Sequence, residues 1–428
     1  MTFRKLVKRL YHYKVESESE LFERISQKEV ATQDSILRSR DFSEYLKKEG
    51  VQLLLSRGLP FRAIKHHEQE MISQKVIQQL FNETPTNASL VERIQGTKAK
   101  LESYWDDVLR AESQKPTVQE EMQHLSEDEQ LNYLGKLIPD DPNKLAFYVK
   151  KILEKRFSHV AKNIRKLNWL NQVRLLETIY QSYTHKKLDK EFQSLDFAVA
   201  MLLMKHLFVE KLPVFKVEFL LVDEIQDYTS AQLILLSELF PKAKVTVVGD
   251  ENQAIFNTNL SFTEIELILK GYHKTTETYH LQKSYRSSGA ITATFNQLIE
   301  SNRQVIPVQP LGEPVSTEEF NDLSSFAKLV EERLAEIGDS SLTIITKTSL
   351  EQQKLINLFD KELIKQKKIV VLSIMLAKGL EFDHVILYDV SQDNYHTVQD
   401  RRLLYTAVSR GMKTLMITYK EKLTEFFK

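Results

Sequence analysis

Two short, largely apolar runs constrain this chain more than anything else in it: VEFLLV (217–222) and KVTVVG (244–249). A half-exposed strand alternates apolar and polar residues, whereas a continuous run of this length suits a strand of a parallel sheet covered on both faces. Between the two runs, SAQLILLSELF (230–240) reads as a helix, with Thr229 or Ser230 as N-cap and Pro241 as its stop. The rhythm continues to the end of the chain. ETYHL (277–281), LTIIT (342–346), IVVLS (369–373), HVILYDV (384–390) and TLMITY (414–419) read as strands, with helical stretches at 290–300, 323–336, 349–364 and 401–410. Strands alternating with helices predict an α/β architecture with parallel sheets. Such sheets bind ligands at the carboxyl ends of their strands, and the polar motifs are expected at those ends.

The first 210 residues have a different texture. Apolar residues recur at helical spacing in SQKVIQQLF (73–81) and LAFYVKKILEKRF (145–157), with breaks at Pro60, NETPTN (82–87) and PDDP (139–142). Eleven glycines and ten prolines in 428 residues also favour long helices. The acidic stretch 112–129 reads as an excursion from this helical half, and His66-His67 as a solvated pair in a polar helical stretch. Trp105 and Trp169 read as packing anchors. The basic clusters Lys150-Lys151, Lys155-Arg156 and Lys186-Lys187 read as solvated helix faces. No catalytic constellation is legible in this half.

Composition removes several classes of function. Lys+Arg and Asp+Glu both number 59, so any nucleic-acid groove must be a local feature and not a consequence of bulk charge. The chain has no cysteine, which excludes disulfides, thiolate metal sites and cysteine nucleophiles and fits a reducing cytoplasm. No apolar run approaches the roughly 20 residues that span a bilayer, and MTFRKLVKRLYHYK at the start lacks the pattern of a secretory signal. No membrane partner is expected.

Chemistry gathers after the strands. Asp223-Glu224-Ile225-Gln226-Asp227 follows VEFLLV, and adjacent carboxylates there can divide labour between holding Mg²⁺ and activating water. Gly249-Asp250-Glu251-Asn252-Gln253 follows the next strand, so Gln253 can reach the same phosphate across the roughly 5 Å between neighbouring strands. Lys283-Ser284-Tyr285-Arg286-Ser287-Ser288 offers a guanidinium fork for a phosphate and a flat ring for a base. Lys378-Gly379-Leu380-Glu381-Phe382-Asp383 and the helix from Arg401 to Arg410 (RRLLYTAVSR) complete the set.

The order DEIQD, VGDENQAIF, YRSS, KGLEFDHV, RRLLYTAVSRG resembles the motif series of superfamily 1 helicases of the UvrD/Rep type, over about residues 212–420. The resemblance implies RecA-like P-loop NTPase lobes that close around ATP and Mg²⁺ and act on nucleic acid, DNA above all. It implies that Asp223 coordinates Mg²⁺, that Glu224 is the catalytic base and that Gln253 senses the γ-phosphate. Arg286 and Arg410 would act as arginine fingers, Tyr285 would stack on adenine, and Glu381 would meet the ribose or an adjacent element. Asp227, Asp250, Lys378 and Gly379 fall among the implied ATP-binding positions. GLPFRAIKHHEQEMISQKVIQQLF and LVERIQGTKAKLE in the front half resemble the helical arm that interrupts the first ATPase domain of HelD-like proteins, which adds RNA polymerase to the expected partners. The expected organisation is a helical arm (1–142), a helical return with the remainder of the first ATPase domain (143–275), and a second ATPase domain (276–428).

The chain also departs from the family. No G-x-x-x-x-G-K-[ST] loop is present: Gly135-Lys136 is followed by Leu137 and preceded by Gln130 at the leading glycine's place, and Gly96-Thr97-Lys98 has the wrong order. A separate or upstream segment is expected to carry that loop, and the chain alone is expected to be inactive as an ATP hydrolase. The glutamine motif continues AIFNTN (254–259) without tryptophan, Ser373 and Met375 replace a common Thr and His, and Ser284 replaces an Asn. The interval from Arg286 to Ser373 holds the second lobe's own strands but not a large extra subdomain, which puts strand separation in doubt. The alternative is a catalytically inactive helicase-like module that binds RNA polymerase or nucleic acid.

Overall fold

The computed structural model describes residues 2–11, 32–138, 141–189, 194–255, 260–273, 275–299 and 304–427. The chain divides into two compact units, one holding the described residues up to Phe215 together with Ile234–Phe240, the other Lys216–Leu233 and Pro241 onward.

The first unit is helical, as its spacing predicts. Its longest helix, Leu90–Ser113, starts at a capping box in which Ser89 and Glu92 satisfy each other's backbone N–H groups. Leu90, Ile94, Leu101, Trp105 and Leu109 form its buried stripe. Trp169 is fully enclosed and its indole N–H donates to the Ile164 carbonyl at 3.1 Å, so both tryptophans are packing anchors. Gly96 lies inside the long helix, and Gly135 (φ +71°) ends the helix Glu127–Leu134 in the left-handed conformation, so neither belongs to a phosphate loop.

Two expectations for this unit fail. The acidic stretch 112–129 is no excursion: the long helix runs to Ser113, and the helices Pro116–Gln123 and Glu127–Leu134 follow, the second capped by Ser126 and Glu129. Its charges lie on helix faces, which hydropathy reads as loop. His66-His67 is not helical. It forms the turn between β1 (Ile64–His66) and β2 (Gln69–Ile72), where His67 takes φ +50°, and His66 Nδ1 lies 3.2 Å from His159 Nε2. The break PDDP falls partly outside the described residues, but Pro142 opens the helix Pro142–Arg156 at a position where its missing N–H costs nothing.

The second unit is α/β. Its larger sheet has the order β7 (Ser316–Glu319), β11 (Gly411–Tyr419), β10 (Phe382–Leu387), β8 (Leu342–Thr346) and β9 (Ile369–Ser373), every pair parallel. Side chains alternate between two cores. Ile345, Val385, Leu387, Leu415 and Ile417 pack with the helices Gly289–Asn296 and Val398–Val408, while Leu342, Ile344, Ile369, Val371 and Ile386 pack with Phe326, Val330 and Leu355 on the other face. The result is a three-layer sandwich in which all of β8 is buried.

The smaller sheet pairs β3 (Phe219–Val222) with β4 (Lys244–Val247), also in parallel. Phe219 opposes Lys244 and Leu221 opposes Thr246, so these four share a face. Phe219 is 63% exposed and Leu221 76%, with Val217 and Val248 also exposed. The expectation that this run is covered on both faces therefore fails: Val222 is buried on one side, and the other side is open. ETYHL (277–281) forms no strand, and Tyr279 and Leu281 are exposed. The short pair β5 (Lys283–Ser284) and β6 (Ile306–Pro307) follows instead. The helical stretch 349–364 is two helices, Ser349–Ile356 and Lys361–Lys365, because Asp360 caps a new start by accepting from the Glu362 N–H. They lie directly between β8 and β9 with no further subdomain.

Candidate functional site

The carboxyl end of β3 turns sharply. Glu224 takes φ +52°, a left-handed conformation that a residue with a side chain adopts only under constraint. The constraint is visible: Glu224 N–H donates to Asp223 Oδ1 at 2.8 Å, and Ile225 N–H donates to the Val248 carbonyl at 3.0 Å, tying the turn to the end of β4. Gln226 is buried and bridges both strand ends, its amide nitrogen donating to the Glu224 carboxylate and its oxygen accepting from Asp250 N–H at 3.1 Å. Gly249 leaves room for this bridge, since a Cβ there would lie 2.2 Å from Gln226 Oε1. Asp223 itself is exposed at the strand tip. A magnesium ion held mostly through water needs only one or two carboxylates, so the donor set Asp223 and Glu224 fits Mg²⁺.

Asp250 caps the short turn Glu251–Gln253, accepting from Asn252 N–H, and its Oδ2 accepts from Gln253 Nε2 at 3.1 Å and from the Tyr405 hydroxyl at 2.9 Å. Gln253 Oε1 accepts from Arg410 Nη2 at 2.9 Å. Arg410 is 2% exposed and also donates to the carbonyls of Thr406 and Leu380. Burial first, then repulsion from Arg286, lowers its pKa, while Glu224 and Glu381 push the other way, so these charges share one field. Lys378 donates to Asp227 Oδ2 at 2.5 Å and to the Gln253 carbonyl at 3.2 Å. Gly379 takes φ +75° in the turn that follows. Arg286 pairs with Glu381 at 2.7 Å, both half-exposed, and the Tyr285 ring is exposed beside them in the sequence.

One hydrogen-bonded network thus gathers Glu224, Asp227, Asp250, Gln253, Lys378 and Arg410, with the Arg286–Glu381 pair in the electrostatic reach of Arg410. The placement of the motifs on their strands differs from expectation in the second lobe. Asp223 and Asp250 do follow the carboxyl ends of β3 and β4, but Glu381 and Arg410 immediately precede β10 and β11, at the amino ends. Phe382 N–H donates to the Arg410 carbonyl at 2.9 Å, which locks those two starts together. Two lobes facing each other can present opposite sheet ends to one ligand.

Gln226 and Tyr405 are participants to which no role was assigned from sequence. Both lie inside the motifs, yet nothing in their spacing separates a bridging amide or a buried phenol from ordinary packing. Phe256–Asn259, the continuation of the glutamine motif, lies outside the described residues. The basic clusters of the first unit are largely engaged: Lys150 meets Asp106 at 2.6 Å, Arg156 meets Glu121 at 2.8 Å, and Lys155 donates to the Asn132 carbonyl. Among the described residues no group of three His, Asp or Glu side chains could hold a metal ion, and no helix is long and apolar enough to cross a membrane.

Comparison with known proteins bears on the family. Residues 6–276 match the UvrD/REP helicase N-terminal domain, and residues 368–418 match the UvrD-like helicase C-terminal domain. The chain is 29% identical over 180 residues to the ATP-dependent DNA helicase Rep of Buchnera aphidicola, covering 36% of this chain and 28% of the relative. It is 33% identical over 116 residues to Escherichia coli Rep, covering 27% of this chain and 17% of the relative. The match therefore spans under a third of the length of these curated relatives. The crystal structure of the C-terminal domain of a possible DNA helicase from Lactobacillus plantarum aligns with 33% of this chain and 92% of that one, at 25% identity and a TM-score of 0.27. With both family domains matched in order, the first over more than half of the chain, the chain belongs to the UvrD/REP helicase family of superfamily 1.

Proposed function

We propose that this chain is the helical arm and motor core of an ATP-dependent DNA helicase or translocase of the HelD-like kind, working by Mg²⁺-assisted attack of water on ATP coupled to domain closure. In this reading Asp223 holds Mg²⁺ and Glu224 activates the water. Arg286 and Arg410 meet the γ-phosphate, Gln253 senses it through the attacking water, Tyr285 stacks on adenine, and Glu381 leaves Arg286 for the ribose side. Asp227 and Lys378 tie the carboxylate strand end to the turn before β10. The observation that supports the reading is the direct Gln253–Arg410 bond, which links the two residues proposed to sense the γ-phosphate.

The absent phosphate loop shapes the rest. Without its N–H cradle and lysine, the site supplies carboxylates and arginines but little grip on the β-phosphate. The open face of β3 suits completion by a strand–loop–helix segment, separate or upstream, that brings the loop and covers Phe219 and Leu221. The missing loop also favours a second reading, an inactive module that binds RNA polymerase or nucleic acid.

Titration of the purified chain with Mg·ATP by calorimetry separates the two. The motor reading expects weak binding that Arg410→Ala weakens further by about tenfold or more, as loss of a charge-assisted contact does. Binding that ignores Arg410, or none at millimolar nucleotide, leaves the module reading. Micromolar affinity would show that the missing loop matters less than argued above.

A further inference from the structure

Three hydrogen bonds link four side chains between the end of β4 and the helix Val398–Val408, and the backbone from Tyr405 to Arg410 closes the ring. Tyr405 and Gln253 both donate to Asp250 Oδ2, at 2.9 and 3.1 Å, and Arg410 donates to Gln253 Oε1 at 2.9 Å. Tyr405 is buried, and its ring packs edge-on against Phe295 with centroids 5.5 Å apart and planes at 69°, so the hydroxyl has a fixed aim. Burial and the Asp250 charge hold the phenol's pKa above its ordinary value, which keeps it a neutral donor.

We infer that Tyr405 is a positioning residue that, by holding Asp250, fixes which end of the Gln253 amide faces the nucleotide. This inference rests on the ATP-binding reading above. An amide offers a donor end and an acceptor end, and a half-turn exchanges them. With Asp250 held, the donor end of Gln253 is spent on the carboxylate, and only the acceptor oxygen faces Arg410. When Arg410 turns to a γ-phosphate, the same oxygen is left to accept a hydrogen from the attacking water. Remove the phenol hydroxyl and Asp250 keeps Asn252 on its other oxygen but loses a donor on Oδ2, so the carboxylate can rotate and the amide can flip. Discrimination between a triphosphate and a diphosphate then depends on a hydroxyl that touches neither.

The test titrates the whole chain with Mg·ADP and with a Mg-bound, non-hydrolysable imido analogue of ATP. Wild type is compared with Tyr405→Phe, Gln253→Ala and the double variant. The expected result for Tyr405→Phe is ADP affinity within about twofold of wild type and a preference for the triphosphate reduced about tenfold, the scale of one hydrogen bond to a charged group. The double variant should lose no more preference than Gln253→Ala alone, because the hydroxyl acts only through that amide. A merely structural tyrosine would weaken both nucleotides together and give additive losses, and either outcome overturns the inference. If wild type binds neither nucleotide, the ATP reading fails and takes this role with it. Backbone hydrogen exchange over 249–255 reads the ring without nucleotide, and unchanged rates in Tyr405→Phe would overturn the clamp on their own.

Discussion

Two of the parallel sheets of the second unit, β3–β4 and the five-stranded sheet, look alike in sequence and differ in what surrounds them. LTIIT becomes β8, central enough in its five-stranded sheet that every residue is buried, with Ile344 at 0% exposure. VEFLLV becomes β3, whose Phe219 and Leu221 face outward. An apolar run therefore reports that a strand is built to be covered, but not that the chain itself covers it. The small sheet is instead held by its turn, where Gln226 stitches Glu224 to Asp250, and by Lys244, whose ammonium sits 5.7 Å from the Phe219 ring centroid.

The sharpest way to break this comparison is a matched pair of truncations. Ile344→Ala should cost about 2–5 kcal/mol, as deletion of enclosed methyl groups does, and Leu221→Ala less than about 0.5 kcal/mol. Urea unfolding followed by circular dichroism gives both numbers, and a comparable loss at Leu221 would mean that the open face is covered in solution. A second variant asks whether the turn, not the strand face, holds the small sheet. Gly249→Ala forces Gln226 and Ile225 aside, because its Cβ would sit 2.2 Å and 2.9 Å from them, and should cost about 1–3 kcal/mol. Thermal melting of that variant would show little change if the Gln226 bridge were incidental.

The smallest effect belongs to the large sheet's own helix. Asp400 starts the helix Val398–Val408 and pairs with Lys347 at 2.6 Å. Burial alone would raise its pKa, but the hydrogen bonds from Lys347 and Thr397 outweigh it and hold the carboxyl below its ordinary 3.8. The stability it gives is thus present above about that pH and is lost as pH falls through the lower folded value. Asp400→Asn should cost about 1–2 kcal/mol at pH 7, and the gap from wild type should close as the solution is acidified. A gap that stays constant from pH 7 to pH 3 would remove Lys347–Asp400 as its source.

Much of the site was legible because its chemistry is carried by order along the chain. Acidic residues after β3, Gln253 after β4, and arginines ahead of Ser287 and Gly411 are linear facts, and their succession identifies the family. What stayed hidden was contact. Gln226 and Tyr405 became participants only once the strands brought them within 3.1 Å of Asp250. His66-His67 turned out to be a hairpin turn because β1 and β2 pair with each other, a preference that helical spacing cannot register.

Taken alone, the sequence determined the class of most elements, the parallel α/β character of the back half and the order of the motifs, because periodicity and motif order are local properties. Tertiary structure alone decided that Glu381 and Arg410 stand at amino ends of strands, that Gln253 is clamped between Asp250 and Arg410, and that one face of β3 has no cover. Those are matters of which surfaces meet, and burial and hydrogen bonding between distant segments depend on geometry that no single stretch of chain contains.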